Sequence, residues 1–258
     1  MAPNRSRRPG AGITRIEEAT DAELDACPFC EGREDRTPPE VLALGRETGT
    51  NGPGWLVRVV PNLYPAFPRQ EVVVHDPRHV RSFAELEDAQ VERVAEAWSL
   101  RRAAGEEDGL EHLHALVNEG RAAGASLAHS HSQLVWLPEA PPEVARESAG
   151  GIGRLVSHPG LVVAERDGAV AVVHVAGRAP YETVIALGEA GVATGLLLLR
   201  DVVRRLRAVE GPVPWNAWLH PGHIELVPRL SVFAGVELGA GIYVNPVAPE
   251  DAAAALRG

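Results

Sequence analysis

The sequence predicts an α+β protein of two tandem units, each an antiparallel sheet with packed helices. Three observations predict it. Short runs of alternating or wholly apolar residues are cut by Pro, Gly and Asn turns, the mark of strands. Two longer stretches, from Phe83 to about residue 104 and over residues 189–209, carry apolar residues at helical spacing. The same order also occurs twice: strands, a helix, a strand, a turn, then a strand carrying His-x-His or His-x-Glu ahead of a proline. That repetition points to internal duplication. The units are read as residues 27–140 and 150–258, behind an N-terminal arm of residues 1–26.

Bulk properties narrow the function. A chain of 258 residues with 45% hydrophobic content can bury a sizeable core. Its net charge of −10 argues against nucleic acid as a partner, because such proteins show a basic footprint. No apolar run approaches the roughly 18–20 residues that span a bilayer. The basic start, Arg5, Arg7 and Arg8, leads into no apolar stretch and reads as no secretory signal. Cys27 and Cys30, the only cysteines, make no disulfide framework. The expectation is a cytoplasmic protein acting on a small molecule.

Taken in order, the arm turns acidic and runs into a short helix before Cys27-Pro28-Phe29-Cys30. A Cys-x-x-Cys pair is a half-complete metal knuckle, a redox pair, or two buried thiols; a closed zinc site needs two ligands more. Arg36 to Glu40 reads as a rigid turn, and Trp55–Val60 and Gln70–His75 as strands stopped by proline. Ser82 to Glu85 is a capping box that opens a helix. Glu111–Asn118 alternates as a strand, with His112 and His114 as rim residues. Residues 139–151 have linker composition. The second unit then shows strands at Gly160–Glu165, Val170–His174 and Glu182–Ala186, the helix over 189–209, strands at Trp215–His220 and His223–Pro228, and a closing helix from Pro249.

Chemistry concentrates at His129, His131 and Gln133. They recur at every second position, so a strand through them puts all three on one face. Just upstream, Gly120 to Ser126 is a small-residue loop of the kind that lets backbone N–H groups approach a phosphate. A phosphate loop feeding a strand with two imidazoles and an amide reads as a site for chemistry at phosphorus.

These stretches, in order, resemble the galactose-1-phosphate uridylyltransferase branch of the histidine-triad superfamily. They are Cys27-Pro28-Phe29-Cys30-x-Gly32 with Thr37-Pro38-Pro39-Glu40, Pro61-Asn62-x-Tyr64-Pro65-Ala66, Asn118-x-Gly120, and Gly124-x-Ser126-x-x-His129-x-His131-x-Gln133. His223-x-Glu225-x-x-Pro228-Arg229-Leu230 and Gly241-x-Tyr243-x-Asn245-Pro246 complete the set, which covers most of residues 27–250. The resemblance implies two tandem histidine-triad-like domains, a zinc ion on Cys27, Cys30, His79 and His129, and a homodimer. It makes His131 the nucleophile, which takes a nucleoside monophosphate from a nucleotide sugar and hands it to a sugar 1-phosphate. Uridylyl transfer in galactose metabolism is the default. Asn118, Gly124 and Ser126 match phosphate-holding positions, Asn62 a position near the ribose, and Glu237 one that contacts hexose hydroxyls.

Gln133 sharpens the expectation. Hydrolases of the wider superfamily tend to carry a third histidine there. An amide can donate to a phosphate oxygen but cannot deliver a proton, which favours transfer to a phosphate acceptor over hydrolysis. Two alternatives stand beside it: a phosphorylase that splits an ADP-sugar or dinucleotide with inorganic phosphate, which the serine spacers Ser130 and Ser132 favour, and a non-enzymatic nucleotide-binding relative. His220, His223 and Glu225 resemble a second metal cluster of some members; with His-x-Glu and contracted spacing, a hydrogen-bonded structural role is expected. The family's arginine-bearing N-terminal segment has no match before Cys27, and Val236 stands where an aromatic is common.

Overall fold

The computed structural model describes residues 15–47, 49–144 and 158–258. Arg5, Arg7 and Arg8 lie outside the described residues, as does the linker reading from residue 145 to 151.

The strands are β1 (Leu42–Leu44), β2 (Val57–Pro61), β3 (Arg69–Val74), β4 (His112–Glu119), β5 (His131–Leu137), β6 (Val162–Arg166), β7 (Ala169–Val173), β8 (Thr183–Ala186), β9 (Trp215–His220) and β10 (His223–Pro228). Among the described residues, these ten strands join one antiparallel sheet in the order β1-β2-β3-β5-β4-β9-β10-β8-β7-β6. Read inward from either edge, each half lays down three strands in succession and then swaps its last two. The halves meet where β4 pairs with β9, Asn118 lying opposite Asn216.

The helices are α1 (Asp21–Ala26), α2 (Asp88–Glu107), α3 (Gly191–Glu210), α4 (Gly235–Ala240) and α5 (Pro249–Arg257). α2 and α3 pack on each other and on one face of the sheet. Val94 and Trp98 of α2, Leu196 to Leu199 of α3, and Val73, Leu134, Ala217 and Leu226 of the strands share one continuous core. Each such Val or Leu is worth roughly 1.5–3 kcal/mol when fully buried. Period two then leaves Val72, Val74, His131 and Gln133 on the opposite face. A smaller cluster there joins Val60, Val72 and Val74 to Cys27, Phe29 and Trp55. His131 and Gln133 thus lie on the face opposite the two long helices.

Three local expectations change. Leu42–Leu44, which the sequence leaves unassigned after the rigid turn of Arg36 to Glu40, form a short edge strand, β1. Its anchor is Glu40, whose carboxylate takes Arg58 Nε at 2.8 Å, the Asn51 backbone N–H at 2.8 Å and the Arg46 guanidinium. Ser82 does cap, but it caps a single 3₁₀ turn, Phe83–Glu85, and α2 begins only at Asp88. The competing partner is the buried Glu119 carboxylate, which accepts from Ser82 Oγ at 2.7 Å and the Phe83 N–H at 2.8 Å. β5 begins at His131, so His129 lies before the strand rather than on its face.

Candidate active site and metal centre

The bend before β5 brings His129 to the Cys27–Cys30 turn. His129 Nδ1 lies 3.5 Å from Cys27 Sγ and 3.8 Å from Cys30 Sγ, and His79 Nδ1 lies 3.3 Å from Cys30 Sγ. All four ligand atoms fall within 4.8 Å of one another. Both imidazoles are turned by a partner on the far nitrogen. His129 Nε2–H donates to the Asp76 carbonyl at 2.8 Å, and His79 Nε2 meets Glu23 Oε1 at 2.9 Å. A carbonyl only accepts, so His129 must carry its proton on Nε2 and keep the Nδ1 lone pair for the cluster. This outer arrangement is the one that orients metal-bound histidines. Burial, with Cys27 alongside, pushes the Cys30 thiol up to about 11. Burial also pushes His129 down to about 4. A divalent cation reverses the thiol preference by binding thiolate, and two sulfurs with two imidazole nitrogens suit zinc. His75 is elsewhere: its Nδ1 meets Ser130 Oγ at 2.9 Å.

Two residues on, His131 opens β5 with 7% of its surface exposed. Its Nδ1–H donates to the His129 carbonyl at 2.7 Å, which leaves the lone pair on Nε2. Burial lowers its pKa, with the His129 carbonyl pulling the other way, so the ring favours the neutral form. The edge of Phe29 packs on it at 5.4 Å between ring centroids. A neutral, tautomer-fixed, buried imidazole is a competent nucleophile or acceptor.

A small pocket beside it is lined by Arg81, Asn118, Gly120 and the run from Leu127 to His131. Gly120, at φ +83°, turns the chain from β4 into the small-residue loop; a Cβ there would meet Pro214 and Ile16 at 3.0–3.1 Å. Gly124, at φ +91°, closes the following 3₁₀ turn, and a Cβ there would lie 3.9 Å from Asn118 Nδ2. Ser126 is exposed on that loop. Gln133 shares the His131 face, and its Oε1 accepts from Gln70 Nε2 at 2.6 Å. Asn62 starts the loop after β2; its N–H donates to the Gln70 carbonyl at 2.8 Å and its Oδ1 takes the Tyr64 N–H at 2.9 Å.

The structure therefore gathers His131, Asn118 and the candidate metal cluster, with Gln133 and Asn62 joined through Gln70. Glu237 is placed differently: it is buried on α4, where its carboxylate accepts from the Ala234 N–H at 2.9 Å. His220, His223 and Glu225 converge within 4.8 Å as a second group, with the Arg178 guanidinium on Glu225. Three participants escaped the sequence reading. Gln70 and Asn216 reach the site only through strand register. Arg81, two residues after His79, brings a guanidinium to the pocket wall and an ion pair to Glu23 at 2.8 Å.

Residues 64–141 match the model of the family described as galactose-1-phosphate uridyl transferase, N-terminal domain. An ADP-glucose phosphorylase of Arabidopsis thaliana is 25% identical, across 100% of this chain and 88% of that protein. A galactose-1-phosphate uridylyltransferase of Thermotoga maritima is 26% identical over 72% of this chain and 73% of its own length. The crystal structure of an Arabidopsis ADP-glucose phosphorylase with bound ADP-glucose superposes with a TM-score of 0.78 at 26% identity, covering 93% of this chain and 92% of that one. No described helix is long and apolar enough to cross a membrane. Fold, matched stretch and relatives agree in kind: the chain is similar to proteins of the galactose-1-phosphate uridylyltransferase family, with the family model itself matching residues 64–141.

Proposed function

We propose that the protein transfers a nucleoside monophosphate from a nucleotide sugar to a phosphate acceptor through a covalent intermediate on His131. The observation that carries this reading is the His131–His129 hydrogen bond, which leaves Nε2 as a neutral base with its lone pair free. Nε2 attacks the α-phosphorus, an N–P bond forms, and the P–O bond to the sugar 1-phosphate breaks. That leaving group departs as a phosphate ester, which needs no proton from a general acid. A phosphate oxygen of the acceptor then attacks the same phosphorus and returns Nε2 to its resting state. Gln133 donates to a non-bridging oxygen as charge shifts there. Asn118, the loop through Gly124 and Ser126, and Arg81 hold the phosphates, while Asn62 and its loop take the nucleoside. Cys27, Cys30, His79 and His129 would hold zinc, which when bound clamps the backbone that orients His131. Glu237 as a contact to the hexose, and a homodimer, belong to the same reading by resemblance.

The acceptor separates two versions. Hexose 1-phosphate makes the protein a uridylyltransferase. Similarity along the whole chain to an ADP-glucose phosphorylase favours inorganic phosphate, with an adenylyl group transferred. Incubation with UDP-glucose or ADP-glucose labelled in the α-phosphate tests both. The expected result is acid-labile, base-stable label on the protein, absent in His131→Ala. Discharge by inorganic phosphate or by galactose 1-phosphate then assigns the acceptor. No label from any nucleotide sugar sinks the reading.

A further inference from the structure

Gln133 and Asn118, the two carboxamides assigned to the phosphates, share one arrangement. Each has its oxygen occupied by a second carboxamide behind it, and each of those is locked by a group that can act in only one sense. The Ala66 backbone N–H, which can only donate, binds Gln70 Oε1 at 2.9 Å. Gln70 therefore turns its NH₂ to Gln133 and donates to Oε1 at 2.6 Å. On the other side, the Arg229 guanidinium, which can only donate, binds Asn216 Oδ1 at 3.2 Å. Asn216 Nδ2 then donates to the Ala123 carbonyl, which can only accept, and to Asn118 Oδ1, both at 2.7 Å.

The consequence is a matter of polarity. A carboxamide is nearly symmetric in shape, so packing alone does not choose between its O and its NH₂. Hydrogen bonding does. With both oxygens already used, Gln133 and Asn118 keep their NH₂ groups for a ligand. Reversed, each would aim a carbonyl oxygen at a phosphate oxygen, two acceptors in repulsion.

We propose that Gln70 and Asn216 are positioning residues that set the hydrogen-bond polarity of Gln133 and Asn118, so that the site meets anionic phosphate oxygens with donors on both sides. The proposal rests on the phosphoryl-site reading above for its ligand. The two relays come from opposite halves of the sheet, through β3 beside β5 and β9 beside β4. The Gln70 relay also ties chemistry to nucleoside, since the same residue's carbonyl holds the Asn62 N–H.

The test is a change of polarity without a change of shape. In Gln70→Glu one carboxylate oxygen still accepts from Ala66, but the other can only accept, and so must accept a hydrogen bond from the Gln133 NH₂ and reverse that side chain. Single-turnover adduct formation should fall about 100- to 1000-fold, as when one transition-state donor is lost. KM should move much less. In a Gln133→Ala background the same change should cost nothing further, within about twofold, as expected of residues acting as one unit. Asn216→Asp should behave likewise toward Asn118→Ala. Melting temperature and zinc content checked on each variant separate this from misfolding. A readout free of activity is the Gln133 side-chain ¹⁵N–H₂ resonance, assigned by its loss in Gln133→Ala. Adding AMP or UMP should shift it in the wild type and not in Gln70→Glu. Full independent losses in the double variant, or an unchanged rate in Gln70→Glu, overturn the polarity assignment. Absence of any adduct in the wild type overturns the functional reading instead, and the resonance shift then still decides the polarity.

Discussion

His131 donates its Nδ1–H to the backbone carbonyl of His129 at 2.7 Å, so the proposed nucleophile hangs from the backbone of a proposed metal ligand. The bond fixes the tautomer and ties the ring to the bend before β5. His131→Ala removes the nucleophile and one buried hydrogen bond, worth about 1 kcal/mol. The adduct should disappear, while the melting temperature drops only a few degrees, at roughly 2–4 °C per kcal/mol for a chain this size. A calorimetric scan beside the labelling assay checks both.

Cys27 tests the metal. It is 4% exposed and lies 3.5 Å from His129 Nδ1. Elemental analysis should find about one zinc per chain in the wild type and far less in Cys27→Ser. Because metal binding and folding free energies are coupled, the variant should melt roughly 10 °C or more lower. A metal-free wild type with the same stability as a zinc-loaded one would end the assignment. Adduct formation should slow as well, through the bend that carries His129.

Glu23 lies behind that centre. Its Oε1 meets His79 Nε2 at 2.9 Å and Arg81 Nε at 2.8 Å. It therefore joins a proposed metal ligand to the guanidinium on the pocket wall. Glu23→Ala leaves four ligands but frees the His79 ring, and zinc should bind about 10- to 100-fold more weakly. Competition against a chromophoric chelator measures it. An affinity equal to wild type would mean that the carboxylate only decorates the surface.

What the chain discloses follows the range of each interaction. The spacing of His131 and Gln133 is local, and the period of a strand sets their common face. The candidate metal cluster is not local: Cys27 and His129 are 102 positions apart, and residue types alone leave open the two further ligands that the family resemblance implies. Gln70 and Asn216 carry no signal of their own. They are single polar residues on strands, and only the register of β3 on β5 and of β4 on β9 gives them a role. β1 is hidden for another reason. Three residues at a sheet edge have little periodicity, and they are held by the Glu40–Arg58 pair. The start of α2 was displaced because Glu119, far along the chain, competes for the capping groups of Ser82 and Phe83.

Glu40 gives the pH dependence a definite sign. Burial by itself would raise its pKa, but the Asn51 N–H, Arg58 and Arg46 more than reverse that and hold it below its ordinary 4.5. A carboxylate whose folded pKa is depressed contributes stability that is fully present above the unfolded value and is lost as pH falls through the folded one. The window thus opens near 4.5 and extends downward. Arg58, 1% exposed, cannot shed its charge, so losing its partner strands a buried cation. Glu40→Gln should therefore cost about 3–5 kcal/mol at pH 7, the range for breaking one side of a buried pair. As the wild type protonates the same group in acid, the two proteins should converge. Urea midpoints for both at pH 7 and near pH 3 measure this. The gap at pH 7 should narrow at the lower pH, and a gap that stays constant would show that Glu40 holds β1 by shape rather than by charge.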